Sequence, residues 1–208
     1  MNLANKLTLT RICMVPFFIL FMQLGGICNN ILALLIFCTA SITDVFDGKI
    51  ARKNKTVTSL GVFLDPLADK LLTSAAFICF VGITTLGIPA WLVIIIISRD
   101  FLITGFRSFA AIKNVTIPAS KPGKFKTMSQ IIVIIITIMI LISNKIFFKF
   151  VDVIPDILNF YDKNSYATLF FLLGEIPFWS TLVVSALTIY SGVDYIFKYR
   201  KLLSEKYE

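Results

Sequence analysis

Residues 127–148 read TMSQIIVIIITIMILISNKIFF, a run in which Lys145 is the only formal charge. A bilayer core of about 30 Å requires roughly 20 apolar residues in a helix, and this run supplies them. Outward from it, five more apolar runs lie near 12–27, 31–52, 61–82, 88–112 and 176–199. Of the 208 residues 57% are hydrophobic and 15% charged, with a mean hydropathy of +0.87. This composition excludes an ordinary soluble domain. The expected fold is an all-α integral membrane protein with six transmembrane helices. No internal repeat or low-complexity tract divides the chain, so residues 1–208 read as a single domain.

Lys and Arg near span ends collect on the cytoplasmic side. Those of the N-terminus, the turn after the second span, the connection after the fourth and the C-terminus fall on one side, fourteen in all, against three on the other (Lys145, Lys149 and Lys163). Both termini are therefore expected in the cytoplasm, in a multi-pass protein of the cell inner or plasma membrane. Trp91 and Trp179 at the far side, and Tyr195 and Tyr199 at the near side, suit interfacial anchoring. Lys6 and Arg11 precede the first run as they would precede a signal sequence, but no small-x-small cleavage site follows cleanly, so the run is expected to remain as a span. Segment 150–175, with Asp152, Pro155, Asp156, Asp162 and Glu175, reads as a long far-side loop with room for an interfacial helix, and no chemistry is assigned to it.

The four cysteines show no C-x-x-C spacing and the chain has no histidine, which removes zinc-finger, disulfide-scaffold and histidine-based catalytic readings. The net charge of +8 flanks apolar runs, so no nucleic-acid partner is expected. Anionic lipid or a phosphorylated substrate fits the charge better.

The chemistry concentrates in Asp44, Asp47, Gly48, Ala51 and Arg52, followed by Gly61, Asp65 and Asp69. Helix positions three and four apart share a face, so the two groups form stripes at the cytoplasmic ends of adjacent spans. A short connection through 53–60 brings the four aspartates together. Unpaired carboxylates so close must protonate or bind cations, and two divalent ions would balance them. Hard oxygen ligands without His or Cys favour Mg²⁺ or Mn²⁺, although Zn²⁺ also accepts carboxylates. Such ions grip a diphosphate and stabilise the oxygen that leaves in phosphoryl transfer. Gly48 and Gly61 fit a bulky ligand near the backbone. The plainer alternative, helix caps or loop charges, suits one Asp better than four at helical spacing. Intramembrane carboxylates also serve cation transport, which explains neither Arg52 nor the glycines.

Asp44-x-x-Asp47-Gly48-x-x-Ala51-Arg52, eight residues, then Gly61-x-x-x-Asp65-x-x-x-Asp69 resembles, without a gap, the signature of the CDP-alcohol phosphatidyltransferases. The resemblance extends to the six-span plan. It implies transfer of a phosphatidyl group from a CDP-linked lipid to an alcohol with release of CMP. It further implies that Asp44, Asp47, Asp65 and Asp69 are ligands of a two-metal centre and that Asp69 is the general base. Gly48, Ala51, Arg52 and Gly61, with Thr58 in the connection, resemble the CDP-diacylglycerol site. Family members also resemble homodimers.

The acceptor must be read from cations outside the signature. Arg99 and Arg107 lie eight residues apart, about 12 Å along a helix. An intramembrane arginine is a functional candidate by default, and the alternative is an ion pair with Asp100, Glu175 or Asp194. Lys124 and Lys126 start the fifth span on the side of the aspartates, either as ordinary positive-inside lysines or, with Arg107, as the lining of a pocket for an alcohol that carries its own phosphate. Two further stretches resemble one branch of the family. The start Asn5-Lys6-Leu7-Thr8-x-x-Arg11 resembles its N-terminal element, which adds Asn5 and Thr8 to the donor site. Ser98-Arg99-Asp100, Thr104-Gly105-x-Arg107 and Gly123-Lys124-x-Lys126-Thr127 resemble its fourth and fifth spans. Ala4 departs from the usual Pro, and Asp100 from the commoner Glu. The branch implies sn-glycerol 3-phosphate as acceptor, with Arg107, Lys124, Lys126 and Arg99 holding its phosphate; phosphatidylglycerol, inositol phosphate and serine are rival acceptors.

Overall fold

The computed structural model of the chain describes residues 3–54, 59–112, 121–153 and 163–204, with side chains placed over 8–43, 70–108, 123–147 and 174–199 and at 68, 110 and 149. Among the described residues there is no strand. Among these residues six α-helices follow one another: α1 (Leu3–Leu24), α2 (Ile27–Asn54), α3 (Ser59–Val81), α4 (Ala90–Ile112), α5 (Lys121–Val153) and α6 (Lys163–Ser204), with a 3₁₀ turn at Thr84–Leu86 between α3 and α4.

The helices start and stop for local reasons. Gly25 and Gly26 take left-handed backbone angles, φ 62° and 87°, which a side chain disfavours and which end a helix. Gly25 N–H closes the last turn of α1 on the Phe21 carbonyl at 3.2 Å, and Asn29 Nδ2 donates to Gly25 O at 2.7 Å. The break thus falls at 25–26, a few residues before the gap expected between spans 12–27 and 31–52. At the same end, Gly87 (φ 60°) closes the 3₁₀ turn on Thr84 O at 3.2 Å, and Leu86 and Ile88 plug the bundle.

The inward faces follow a three-and-four spacing. On α1 it runs Thr8, Arg11, Val15, Phe18, Met22; on α2, Asn30, Ala33, Phe37, Ala40; on α3, Ala68, Leu72, Ala75. Phe18 and Phe37 meet with ring centroids 6.0 Å apart, beside small Ala33 and Ala40, which let backbones approach. Helix α1 packs on α2 and α3, α5 on α2 and α6, and α4 on α6 and α3. Among the described residues many large apolar side chains lie on the outside, Leu20, Ile94, Leu102, Ile132, Met139 and Ile189 among them.

Among the described residues, Gly123–Phe147 in α5 and Gly174–Tyr199 in α6 are long and apolar enough to cross a membrane. Shorter apolar helical stretches are Thr8–Leu24, Ile27–Thr43 and Lys70–Val81, and α4 carries Arg99, Asp100 and Arg107 within its 23 residues. One expectation changes. Helix α5 continues to Val153 and α6 already begins at Lys163, so residues 150–153 and 163–175 are helix rather than long loop, while 154–162, with Pro155, Asp156 and Asp162, lie outside the described residues. The run Tyr166–Leu173 is apolar and continuous with the following span, and a helix satisfies its backbone without help from water. Pro177 is accommodated inside α6, where its own carbonyl accepts a hydrogen bond from Ser180 Oγ at 3.1 Å.

Candidate active site

Successive helices alternate in direction, so one end of the bundle gathers the start of α1, the end of α2, the start of α3, the end of α4, the start of α5 and the end of α6. Of the sequence-predicted site residues with described side chains, Thr8, Arg107, Lys124 and Lys126 lie toward that end, and Arg99 lies near the middle of α4.

The carboxylate half is legible from helical register. Positions 44 and 47 continue the inward stripe Asn30, Ala33, Phe37, Ala40 of α2. Position 65 continues Ala68, Leu72, Ala75 of α3, and position 69 precedes Leu72 by three and Ala76 by seven. The side chains of Asp44, Asp47, Asp65 and Asp69, like those of Gly48, Ala51, Arg52, Gly61 and Asn5, lie outside the described residues, as does Thr58 altogether. Thr8 and Arg11 on α1 are described, and both are buried, at 1% and 3% exposure. Arg11 therefore turns into the bundle rather than serving only as a flanking charge.

The cationic half is described in atomic detail, and it is a connected network. Asp100 of α4 is 4% exposed. One of its oxygens takes the ammonium of Lys126 in an ion pair and the Arg99 Nη1 donor at 3.4 Å; the other accepts from Gln130 Nε2 at 3.2 Å. Lys126 is itself only 2% exposed, while its neighbour Lys124, turned to the opposite face, is exposed. Gln130 stands one turn beyond Lys126, on the same face of α5. Such a buried charge is tolerable because it is paired and hydrogen-bonded.

Helix α6 supplies the other side. Arg99 Nη2 donates to Ser191 Oγ at 2.8 Å, and the arginine stem lies against Gly192, where an added Cβ would stand 3.1 Å from Arg99 Cγ. Arg107 Nε donates to the Tyr195 hydroxyl at 3.3 Å, with its guanidinium carbon 5.6 Å from the centre of the same ring. Tyr195 is 1% exposed. It is a buried partner of Arg107 and not the interfacial anchor its position near a span end suggests, whereas Trp91 and Trp179 are exposed.

Of the four expected acceptor cations, Arg99 and Lys126 meet at Asp100, Arg107 is held by Tyr195, one turn along α6 from the Ser191 that holds Arg99, and Lys124 is exposed. Sequence reading missed Gln130, Ser191, Gly192 and Tyr195. Their signal was faint: Gln130 is a helical turn from Lys126, and Ser191 and Tyr195 are a turn apart on α6. Lys70, the residue after Asp69, is close enough to Lys126 to act on its charge, which links the end of the signature to the cationic half.

Comparison with known proteins points the same way. The sequence profile describing CDP-alcohol phosphatidyltransferases matches residues 1–157. A Bacillus subtilis protein named CDP-diacylglycerol--glycerol-3-phosphate 3-phosphatidyltransferase is 43% identical over 145 residues, covering 64% of this chain and 74% of its own. Proteins of the same name from Rickettsia bellii and Rickettsia typhi are 36% and 38% identical over 195 residues, covering 93% of this chain and 93% and 94% of their own.

Proposed function

The chain belongs to the CDP-alcohol phosphatidyltransferase family, and on that premise we propose that it transfers the phosphatidyl group of CDP-diacylglycerol to sn-glycerol 3-phosphate, giving phosphatidylglycerophosphate and CMP. The observation that carries the choice of acceptor is the charge of the second site. Arg99 and Lys126 share one hydrogen-bonded carboxylate, Asp100, and Arg107 stands further along α4 against the neutral Tyr195 hydroxyl, so these groups together keep an excess of positive charge inside an apolar bundle. An alcohol with its own phosphate neutralises that excess. A neutral alcohol such as serine does not.

Two divalent cations, Mg²⁺ or Mn²⁺ with Zn²⁺ as a further candidate, would be held by Asp44, Asp47, Asp65 and Asp69. The donor set fits: all four ligands are hard carboxylates in a chain without histidine, at inward register positions on α2 and α3. When bound, such ions supply charge neutralisation for a diphosphate and for a departing nucleotide.

The remaining work falls to the chain's own groups. Arg52 hydrogen-bonds a donor phosphate through its planar fork. Gly48, Ala51 and Gly61 leave room for the diphosphate beside the helices, and Asn5, Thr8 and Thr58 complete the donor site. Asp69 takes the proton of the attacking hydroxyl, which adds to the lipid-side phosphorus as CMP leaves. Arg107, Lys124, Lys126 and Arg99 hold the acceptor phosphate. This arrangement needs a single membrane domain with six spans, both termini and the active end cytoplasmic, in the cell inner or plasma membrane. The acyl chains remain in lipid, and the working form is a homodimer.

The test is CMP release by purified protein in detergent with CDP-diacylglycerol, Mg²⁺ or Mn²⁺ and a panel of alcohols, beside an Asp69→Asn control. Release that depends on glycerol 3-phosphate and is lost in the control is the expected result. Release with phosphatidylglycerol, inositol phosphate or serine instead would keep the family chemistry and overturn the acceptor.

A further inference from the structure

The residues of α6 that touch the arginines lie beyond residue 157, where the family match ends, and none belongs to the signature. We propose that the buried face of α6, above all Tyr195, positions the arginines of α4 for the phosphorylated acceptor. Tyr195 is thereby a positioning residue that sets acceptor affinity, an inference that rests on the acceptor site proposed above.

The geometry assigns this role. A free arginine side chain has many rotamers, and ordering it on binding costs affinity. Here Arg107 is ordered in advance at two points, because Nε donates to the Tyr195 hydroxyl at 3.3 Å while the guanidinium carbon stands 5.6 Å from the ring centre. With Nε fixed, the fork formed by the two terminal nitrogens is left to meet a phosphate in a bidentate geometry.

The ring is itself locked. Phe106 packs edge-on against it at 5.8 Å between centroids, and Tyr199 tilts against it at 4.9 Å. A buried tyrosine hydroxyl requires a hydrogen-bond partner, and Arg107 is the one shown. The same helix treats Arg99 likewise: Ser191 Oγ accepts from Nη2 at 2.8 Å, and Gly192 gives the stem room to pass. Arg99 and Arg107, eight residues apart on α4, thus meet Ser191 and Tyr195, one turn apart on α6. A residue that served packing alone would need no hydroxyl there.

The experiment compares Tyr195→Phe, Arg107→Gln and the double variant in the full-length enzyme, measuring KM for glycerol 3-phosphate, KM for CDP-diacylglycerol and kcat. Loss of the hydroxyl is expected to raise the acceptor KM by about three- to tenfold and to leave the donor KM unchanged. In the Arg107→Gln background the same change is expected to cost nothing further, since Tyr195 acts through that arginine. An acceptor KM raised by Arg107→Gln but not by Tyr195→Phe would overturn the positioning role and leave the acceptor site standing; so would a Tyr195→Phe effect that multiplies fully with Arg107→Gln. No effect of either variant on the acceptor KM would remove the acceptor site itself, and this inference with it. If Tyr195→Phe fails to fold, Ser191→Ala decides: a several-fold rise in acceptor KM supports the positioning face, and an unchanged value overturns it.

Discussion

The two halves of the active end are built on opposite electrostatic plans. Helices α2 and α3 carry four carboxylates at inward register positions, with no counter-charge of their own in the signature stripe except Arg52. Helices α4, α5 and α6 bring two cations, Arg99 and Lys126, to one carboxylate, set Arg107 against the Tyr195 hydroxyl, and bond nearly every group to a neighbour. On the proposed function, the first half would be completed from outside, by cations and a diphosphate. The second is already assembled and waits with a surplus of positive charge. The difference teaches that a binding site can be prepared in two ways, by leaving charge unbalanced or by fixing donors in place in advance.

The largest effect should come from the carboxylate half. Asp69→Asn is expected to lower CMP release by about a thousandfold or more, the range for loss of a general base, with the variant eluting as the native protein does. Chelation of divalent cations should have a comparable effect on the native enzyme, reversed by Mg²⁺ or Mn²⁺. Retained activity in either case would mean that the unbalanced half is not where the reaction occurs.

Stability gives the next contrast, and its sign differs between the halves. Asp100→Asn leaves the buried Lys126 and the half-buried Arg99 without their counter-charge, and breaking a buried pair in this way costs about 3–5 kcal/mol. In a chain of this size that is a fall of about ten degrees in the thermal midpoint. Asp65→Asn in metal-free protein instead relieves like-charge repulsion, so its midpoint should hold or rise. Thermal unfolding in detergent with chelator measures both. A fall of equal size for the two variants would erase the distinction drawn between the halves.

The halves also differ in how far the sequence discloses them. Asp44, Asp47, Asp65 and Asp69 lie within 26 positions on two consecutive helices, and helical periodicity alone places them on shared faces. The six helices were legible in the same way, from apolar runs of sufficient length, and the turn glycines Gly25 and Gly26 then shifted one boundary by a few residues. The cations Arg99, Arg107 and Lys126 stood out because charge inside apolar runs is costly. Their partners did not. Ser191, Gly192 and Tyr195 are about 90 residues from Arg99 and Arg107 in sequence, and only the packing of α4 on α6 makes neighbours of them. A tyrosine near the end of a span carries the same signature whether it faces lipid or an arginine. The helical extension of α6 back to Lys163 was hidden because acidic and proline residues in 150–162 dominate the reading of that segment.

The smallest predicted effect tests the preformed half most finely. Gly192 sits in the middle of α6, where helix propensity disfavours glycine by about 1 kcal/mol relative to alanine. Its presence there follows from the stem of Arg99, since a Cβ at 192 would stand 3.1 Å from Cγ and 3.4 Å from Nε. Gly192→Ala should therefore move two measurements in opposite directions. The helix gains propensity, so the thermal midpoint should hold or rise slightly. Arg99 must give way by a few tenths of an ångström, which strains its bond to Ser191, so the KM for glycerol 3-phosphate should rise by about two- to threefold, with the donor KM unchanged. A loss of stability with unchanged KM would make Gly192 a packing residue only. The opposed pair of shifts would show that this glycine is kept for the seating of an arginine, at the expense of the helix that holds it.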